Sequence, residues 1–486
     1  MSTSANGLRG PLTPTNSGFR QEKDALGTIK VPANAYYGAQ TQRSLQNFQI
    51  ATGKDLMPVT LLHALALLKQ VAAVVNLERG KLNIDKAKAI ISAAEEVQSG
   101  SLDKHFPLVI WQTGSGTQTN MNVNEVIANR ANEILGGQRG DKTLVHPNDD
   151  VNLSQSSNDI FPTAMNVSIV IEIVQKLIPS LKYLVDKLQD KSQEFWTLVK
   201  IGRTHMQKGV SSLVGIERQL PFVCELAVGG TAVGTGLNAA AHFDSRFCEV
   251  LTELVSQNLS NQSKDGCSDT PSIVFKPAAN KFAALAGHDS LLLMSGCLNT
   301  TATALHRLAN DFRLLASGPR CGLGEFILPS NEPGSSIMPG KINPTQCEAL
   351  SMVCVQVMGN HVTTSIAGAQ GHLELNVYKP VLIANMLHSV TLLSDAARSF
   401  TDHAIIGLRM NTARISEHVG NSLMLVTALN PVLGYDKSAE VALFANDQGL
   451  SLRQAVLAKG FMTEQQFDEC ISPLKMAFPS GDPHRV

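Results

Sequence analysis

Apolar residues recur every three or four positions through most of this chain, which is the spacing of one face of an α-helix. The spacing predicts helices over residues 60–80, 87–97, 124–135, 163–188, 280–315, 346–368, 376–399 and 416–429. Segment 163–188 is apolar on almost every side, which is typical of a helix buried in a bundle, and Pro179 is expected to kink or divide it. Alternating patterns typical of strands are scarce, so the sequence predicts a mostly α fold.

Composition and charge narrow the class of protein. Of the 486 residues, 43% are hydrophobic and 17% are charged, which is enough apolar material for a sizeable core. The 40 basic and 41 acidic residues give a net charge of -1, which argues against a nucleic-acid partner. The most apolar stretch, 61–75, is broken by His63, Lys69 and Gln70, and no run approaches the roughly 18 residues that cross a bilayer. We therefore expect a soluble protein without a membrane partner.

The cysteines give no sign of a metal site. Eight cysteines are scattered along the chain without a CxxC pair or the spacing of a zinc or iron–sulfur site. They are expected to be reduced and buried in a cytosol-like compartment, and we expect neither a metal nor a cofactor.

Residues 1–18 contain one arginine, no acidic residue and many Ser, Thr, Gly and Pro residues. They lack the apolar core of a signal peptide and are expected to form a disordered tail. The expected location is cytoplasmic. The alternative is that the tail is an organellar transit peptide, which would place the protein in the mitochondrial matrix.

Breaks in the helical pattern predict the domain organisation. One break lies in the polar stretch 146–158 and another near Gly407. After the tail, the predicted domains are an N-terminal mostly helical domain over 19–154, a central long-helix bundle over 155–410 and a small C-terminal helical domain over 411–486. The stretch 255–272 is rich in Ser, Asn and Gln, and it predicts an exposed, disordered insertion loop.

Four polar segments, three of which contain glycine, interrupt the helices over residues 113–120, 146–158, 202–205 and 334–344. They are rich in hydroxyl and amide side chains and almost free of carboxylates, and Lys341 adds a formal cation. Hydroxyl, amide and backbone N–H donors suit the oxygens of a small polyanion, and helix N-termini add positive potential. A nucleotide fits less well, because there is neither a GxxxxGKS/T motif nor a GxGxxG motif after a strand. A small dicarboxylic acid is therefore the favoured ligand.

Each segment alone has an ordinary structural explanation. A Gly-Ser-Gly loop is usually a turn, Asn148 or Asp149 can cap a helix, and His205 alone is more often a hydrogen-bonded structural residue than a catalyst. Segment 334–344 is more specific, because its glycines and prolines shape a loop around functional side chains, as in mobile lids. The occurrence of all four segments in one helical chain favours a site.

Segment 334–344 resembles the GSSxMPxKxNP signature of the aspartase/fumarase superfamily. Segments 230–238, 317–322, 345–349 and 434–437 resemble its class II, iron-independent fumarate hydratase family, and the resemblance runs from about residue 19 nearly to the C-terminus. It implies a three-domain, mostly α subunit with a long central helical bundle. It also implies a homotetramer in which each active site takes loops from three subunits.

The resemblance implies a reaction, the reversible trans hydration of fumarate to L-malate in the tricarboxylic acid cycle. The reaction would pass through an aci-carboxylate, whose extra negative charge must be stabilised. By resemblance, Ser335 removes the carbon-bound proton, His205 protonates the departing hydroxyl, and Glu348 is the carboxylate partner of that histidine.

The resemblance also assigns binding residues for a fumarate or L-malate substrate. Lys341 and Asn343 would bind the carboxylate that gains charge. The other matching positions are Ser115, Gly116, Thr117, Asn120, Ser156, Ser157, Asn158, Thr204 and Ser336. A second dicarboxylate site would comprise His146, Pro147, Asn148 and Asp149.

One segment departs from the family pattern and keeps two alternatives open. After His205 the chain appears several helical turns shorter than the family, whereas the stretch after Val255 appears longer. The shortening could displace His205 or weaken the tetramer, which would suit an inactive paralogue, although the catalytic positions are all retained. The other alternative is a sister lyase of the aspartase, argininosuccinate or adenylosuccinate type. Gly340, Thr345 and Gln346 argue against that alternative.

Overall fold

The computed structural model describes residues 9–12, 18–202, 211–262 and 273–477. Within them the chain is dominated by helices, which confirms the mostly α fold class. The first half contains β1 (Phe19–Asp24), β2 (Gly27–Pro32), α1 (Ala39–Asn47), α2 (Val59–Glu78), α3 (Ile84–Gln98), α4 (Thr117–Ile134), α5 (Ser157–Glu172), α6 (Ile178–Glu194) and α7 (Ser211–Val223). Strands β1 and β2 form an antiparallel hairpin in which Phe19 faces Pro32.

The described part of the second half carries four helices of 20 residues or more and a series of shorter ones. Its elements are β3 (Glu225–Leu226), α8 (Phe243–Gln262), β4 (Lys276–Pro277), α9 (Lys281–Ala286), α10 (Asp289–Leu315), β5 (Phe326–Ile327), α11 (Thr345–Ala369), α12 (Lys379–Phe400), β6 (Arg409–Met410), α13 (Thr412–Asn421), α14 (Asn430–Leu433), α15 (Tyr435–Gln448), α16 (Leu452–Ala458), α17 (Glu464–Cys470) and α18 (Pro473–Ala477). Strands β3 and β4 pair in parallel, and β5 and β6 pair antiparallel.

The described chain separates into two compact units. One unit comprises Met1–Ser180, Val210–Ala304 and Val353–Asp395, and its α2 packs against α3, α5 and α8 with fully buried leucines and valines. The other unit comprises Leu181–Gly209, Leu305–Met352 and Ala396–Val486. It contains a separate small core of Leu429, Val441, Ala445, Leu452, Ala455, Val456, Met462 and Phe467. The three-domain division stays a prediction.

The long helix predicted over 163–188 is divided as expected, but one turn before the proline. A π-helical turn, Ile173–Leu177, separates α5 from α6, and Pro179 is the second residue of α6. A proline clashes with the carbonyl four residues earlier, here that of Gln175, which lies inside the π turn. The extra residue of that turn relieves the clash while the chain stays helical.

Three local predictions need correction. Residues 255–262 belong to α8 rather than to a loop, because Val255 is buried while the Ser, Asn and Gln residues after it lie mostly on the exposed side of the helix. Residues 263–272 lie outside the described residues. The helix predicted over 416–429 ends at Asn421, where the side chain of Ser422 caps a following 3-10 segment. The helix predicted over 280–315 is interrupted between α9 and α10.

Two helical stretches have a higher mean hydropathy than expected from the sequence. Val59–Glu78 and Ser157–Glu194 have the length and hydropathy of membrane-crossing helices, so the expectation that no apolar run approaches this length needs correction. Their apolar windows are 72% and 78% buried within the protein, as in the core helices of soluble proteins.

The start of α1 is held by a buried carboxylate from α4. Glu125 accepts hydrogen bonds from the backbone N–H groups of Gly38, Gln40 and Thr41 at 2.8, 2.8 and 3.1 Å, and from the Thr41 hydroxyl at 2.6 Å. A helix N-terminus attracts negative charge because its first N–H groups have no partner within the helix. Burial raises the pKa of Glu125, and the hydrogen bond from Thr41 opposes that shift.

We expect Glu125→Gln to lower the free energy of unfolding by about 2–3 kcal/mol, because an amide NH2 would face N–H donors that are left without an acceptor. Urea unfolding followed by circular dichroism at pH 7 measures the change. Glu253→Gln, at an exposed glutamate of α8, is the matched control and should leave the midpoint in place. Equal midpoints for the two variants would contradict the role given to Glu125.

Candidate active site

Two glycines shape the segment that precedes α4. Gly116 is the N-cap of α4 with φ 81°, and a Cβ atom there would lie 2.3 Å from the ring of Phe161 on α5. A Cβ atom on Gly114 would lie 1.4 Å from the carbonyl oxygen of Val377. The segment is therefore pressed between α5 and the chain that leads to α12, and only glycine fits at either position.

This close packing brings a row of hydroxyl groups together at the starts of α4 and α5. The hydroxyls of Ser115 and Thr117 lie 2.9 Å apart, and those of Thr117 and Ser157 also lie 2.9 Å apart. All three side chains are half-buried. Hydroxyl donors beside two helix N-termini provide hydrogen bonds and positive potential for a carboxylate. The structure thus places two of the predicted segments side by side.

Ser156 and Asn158 have structural partners in this arrangement. Ser156 is the N-cap of α5, and its hydroxyl accepts from the backbone N–H of Asn158 at 3.2 Å. The Asn158 side chain donates to the carbonyl oxygen of Ala232 at 2.8 Å. Capping therefore accounts for Ser156, and Asn158 joins the start of α5 to the loop that carries Ala232.

Asp159 completes the cap and fastens a second loop to it. Its carboxylate accepts from the backbone N–H groups of Ser156, Gly229 and Thr231 at 2.9, 3.0 and 2.9 Å. The side chain is fully buried, and burial raises the pKa of Asp159 to about 6, while these three N–H groups and the charge of Lys69 oppose the shift.

A buried amide network lies beneath the same helix starts. Asn120 is buried and donates from Nδ2 to Oδ1 of Asn152 at 3.2 Å. Lys69, fully buried in α2, donates from Nζ to Asn152 and to Oε1 of Gln155, at 2.9 Å each. Burial lowers the pKa of Lys69 to about 7, and the charge of Asp159 opposes this shift.

Lys69, Asn152 and Gln155 were missed as site residues. The signal in the sequence was Lys69 itself, which interrupts an otherwise apolar stretch. Only the structure shows that the Lys69 side chain points toward the polar segment 146–158.

The second predicted anion site forms a turn capped by a histidine. Nδ1 of His146 accepts from the backbone N–H groups of Asn148 and Asp149 at 3.2 and 3.1 Å, at the start of the π-helical turn Pro147–Val151. Because Nδ1 accepts these two hydrogen bonds, the imidazole proton is assigned to Nε2. Nδ1 and the Asp149 carboxylate, 3.2 Å apart, are then both acceptors and do not form a hydrogen bond with each other. Pro147 is buried, whereas Asn148 and Asp149 are exposed.

The signature segment 334–344 forms a loop closed by its own hydrogen bonds. The backbone N–H of Gly334 donates to the carbonyl oxygen of Lys341 at 2.8 Å, and Nδ2 of Asn343 donates to the carbonyl oxygen of Gly334 at 2.6 Å. Within the loop, the hydroxyl oxygen of Ser335 accepts from the N–H groups of Ile337 and Met338 at 3.3 and 3.1 Å. Donors aimed at an oxygen stabilise negative charge on it, so the two N–H groups would lower the cost of ionising the Ser335 hydroxyl. The side chains of Ser336 and Lys341 are exposed.

Glu348 lies in the first turn of α11, directly after this loop. Its carboxylate is 3.5 Å from Nη2 of Arg313, and both side chains are partly exposed. The predicted partner of Glu348, His205, and the predicted binding residue Thr204 lie outside the described residues. The pairing of His205 with Glu348 therefore stays a prediction.

The cysteines agree only in part with the expectation that they are buried. Cys224, Cys248, Cys347 and Cys354 are buried, and burial raises the pKa of each thiol. Cys321 is exposed, which corrects the expectation for that residue, and Cys267 lies outside the described residues. Across the described ranges, no three His, Cys, Asp or Glu side chains are grouped as they would be around a metal ion.

Gly116→Ala should disturb the row of hydroxyl groups, because its Cβ would collide with Phe161. Gly136→Ala is a matched control, since Gly136 also has a positive φ of 84° but has no atom within 4 Å of the added Cβ. We expect Gly116→Ala to cost about 1–3 kcal/mol more of unfolding free energy than Gly136→Ala. Thermal unfolding of both variants measures the difference, and equal losses would show that backbone conformation alone requires Gly116.

Comparison with known proteins identifies the family. A lyase family model matches residues 27–220 and 215–359, and a fumarase C C-terminus model matches residues 425–477. The class II fumarate hydratase of Thermosynechococcus vestitus is 52% identical over 93% of this chain and 96% of its own length. The mitochondrial fumarate hydratase of Danio rerio is 50% identical over 96% of this chain and 91% of its own length.

A solved structure agrees with these relatives. The crystal structure of class II fumarase from Schistosoma mansoni aligns with a TM-score of 0.90 and 52% identity, over 95% of this chain and 99% of that chain. The fold, the enzyme class of lyase and the family inferred from the signature segments are confirmed. This chain belongs to the class II fumarate hydratase family of the aspartase/fumarase superfamily.

Proposed function

We propose that this chain catalyses the reversible hydration of fumarate to L-malate. The observation that carries the proposal is the pair of backbone N–H groups on the hydroxyl oxygen of Ser335. Removing a proton from the carbon beside a carboxylate requires a strong base, and a serine hydroxyl serves only when its ionised form is stabilised.

The reaction divides into a proton transfer and a loss of water. In the malate direction, Ser335 takes the proton from the carbon next to one carboxylate, and the bond electrons move into that carboxylate to form the aci-carboxylate. Lys341 and Asn343 stabilise the added charge. The hydroxyl group on the neighbouring carbon then leaves as water with a proton from His205, and Glu348 holds the histidine ring.

The row of hydroxyl groups at the starts of α4 and α5 suits the other carboxylate of the substrate. Ser115, Thr117 and Ser157 would donate to its oxygens, with Asn158 and Thr204 completing the set. The turn after His146 is proposed as the second dicarboxylate site, because its exposed residues stand at a helix start close in sequence to the first site.

The sequence leaves two alternatives to this proposal, a sister lyase and an inactive paralogue. The relatives reported above are described as fumarate hydratases, which favours hydration over the reactions of the sister lyases. The segment after His205, which falls partly outside the described residues, keeps an inactive paralogue as the second candidate. The cytoplasmic location stays a prediction, with the mitochondrial matrix as its alternative.

The first test is fumarate formation from L-malate by the purified protein, in the presence of a chelator and followed by ultraviolet absorbance. We expect turnover without added metal. We expect Ser335→Ala to lower kcat by at least about 100-fold and His205→Asn to lower it by a similar factor, because each removes a proton-transfer group.

The matched control is Ser260→Ala, at an exposed serine of α8 whose hydroxyl donates to the carbonyl oxygen of Ser256 on the same helix at 2.9 Å. It should turn over like the unmodified protein. Full activity in Ser335→Ala would remove Ser335 as the base, and release of ammonia from aspartate without malate turnover would favour a sister lyase. A folded protein with no activity on either substrate would favour the inactive paralogue.

A homotetramer is proposed from an unpaired apolar stripe along α11. Met352, Val355, Val362 and Ile366 recur at helical spacing, and each is more than half exposed. The opposite side of α11 is buried, and Cys354 lies on that side. A continuous apolar stripe on a long helix is typical of a helix that packs against another subunit.

Val362→Glu should weaken the assembly, because it places a charge in the middle of this stripe. Sedimentation velocity should show tetramers in the unmodified protein and smaller species in the variant. Leu26→Glu is the control, since Leu26 is exposed at the tip of the β1–β2 hairpin and away from α11 in sequence. Tetramers that persist in Val362→Glu would contradict the assignment of the stripe to the interface.

A further inference from the structure

A lysine side chain lies in the middle of the apolar helix α2. Lys69 is fully buried, and its neighbours Leu68 and Val71 are also fully buried. Moving an ammonium group out of water is costly, so such a group persists only where hydrogen-bond acceptors surround it.

The acceptors of Lys69 come from one short segment. Nζ donates to Oδ1 of Asn152 and to Oε1 of Gln155, at 2.9 Å each. Both are neutral amides, and the charge that acts on Lys69 is that of Asp159, which heads α5. The Lys69 amino group is therefore held by two of the four residues, 152–155, that lead directly into the N-cap of α5.

A second side chain of α2 holds the same segment. Asn76, two turns beyond Lys69, donates from Nδ2 to the carbonyl oxygen of Leu153 at 3.0 Å and accepts from the hydroxyl of Ser154 at 2.9 Å. Ser154 has a φ of 65°, a backbone conformation that side chains other than glycine rarely adopt. The segment thus keeps an unfavourable conformation because α2 fixes it.

The segment is also tied to α4. Oδ1 of Asn152 accepts from Nδ2 of Asn120 and from Nδ2 of Asn124, at 3.2 Å each. One amide oxygen therefore accepts from donors on α2 and α4, five residues before the first residue of α5. At the starts of these two helices, the hydroxyls of Thr117 on α4 and Ser157 on α5 lie 2.9 Å apart.

We propose that Lys69 is a positioning residue for dicarboxylate binding. Through Asn152 it sets the starts of α4 and α5 against each other, so that Ser115, Thr117 and Ser157 face one bound carboxylate. The inference rests on the proposed function, because it takes these hydroxyls to be substrate ligands. Lys69 itself does not touch the substrate.

A purely structural role would lower stability alone, whereas a positioning role changes the Michaelis constant. Ligands that hold a carboxylate equally in the ground state and the transition state affect KM and leave kcat nearly unchanged. Lys69→Met removes the donors and the charge at similar length. We expect a rise in KM for L-malate of at least about 10-fold, with kcat within about 3-fold of the unmodified enzyme.

Leu62→Ala is the matched control, because Leu62 is buried on the same helix two turns earlier. It should lower the melting temperature without changing KM. If Lys69→Met is not recovered as folded protein, Gln155→Leu removes one acceptor of the ammonium and two donors to the loop backbone, and it should raise KM in the same way.

The two proposals fail in different ways. Absence of malate turnover by the unmodified protein would count against the proposed function, and fumarate binding to Lys69→Met, measured by calorimetry, would then decide the role of Lys69. Active unmodified protein with an unchanged KM in folded Lys69→Met would overturn the positioning role. A fall in kcat at constant KM would overturn it as well.

Discussion

The arrangement of the site depends on how closely α4 and α5 approach each other where they begin. Gly116 meets the ring of Phe161, and the hydroxyls of Thr117 and Ser157 are within hydrogen-bond distance. A side chain on that glycine would push the two helices apart and separate the hydroxyl groups. The chemistry of the proposed carboxylate site therefore rests on a steric condition, since the hydroxyl groups can converge only where no Cβ atom intervenes.

The buried polar groups near the starts of α4 and α5 impose a different constraint, which is that each must have hydrogen-bond partners. Burying Lys69 and Asp159 is unfavourable, and each is surrounded by groups that suit its charge: amide oxygens for the ammonium, and three backbone N–H groups for the carboxylate. Because a half-satisfied buried network is worse than an apolar core, these contacts restrict the loops to one arrangement. Apolar packing holds α2 in place, and the polar groups then determine where the loops lie.

The sequence predicts the regular parts of this molecule well and the contacts poorly. The spacing of apolar residues placed α2 over 60–80, close to the observed Val59–Glu78, because that helix packs into the core along its length. The same rule failed over 255–262, where an amphipathic helix end looks like a polar loop. Lys69 could be seen only as an interruption, because its partner Asn152 is 83 positions away in the chain. The signature motif identified the family, but a motif does not show which buried side chains hold the site residues in position.

The loop that carries Ser335 closes on itself through Gly334, Lys341 and Asn343. Within the part of the chain that the structure describes, the backbone donors to Ser335 are the N–H groups of Ile337 and Met338, which belong to the same loop. If the loop swings over a bound substrate, as lids do, the proposed base Ser335 carries its own stabilising N–H dipoles with it. The strength of the base is then independent of the position of the lid, so the rate of loop motion and the basicity of Ser335 can be altered separately by substitutions at the ends of the loop and within it.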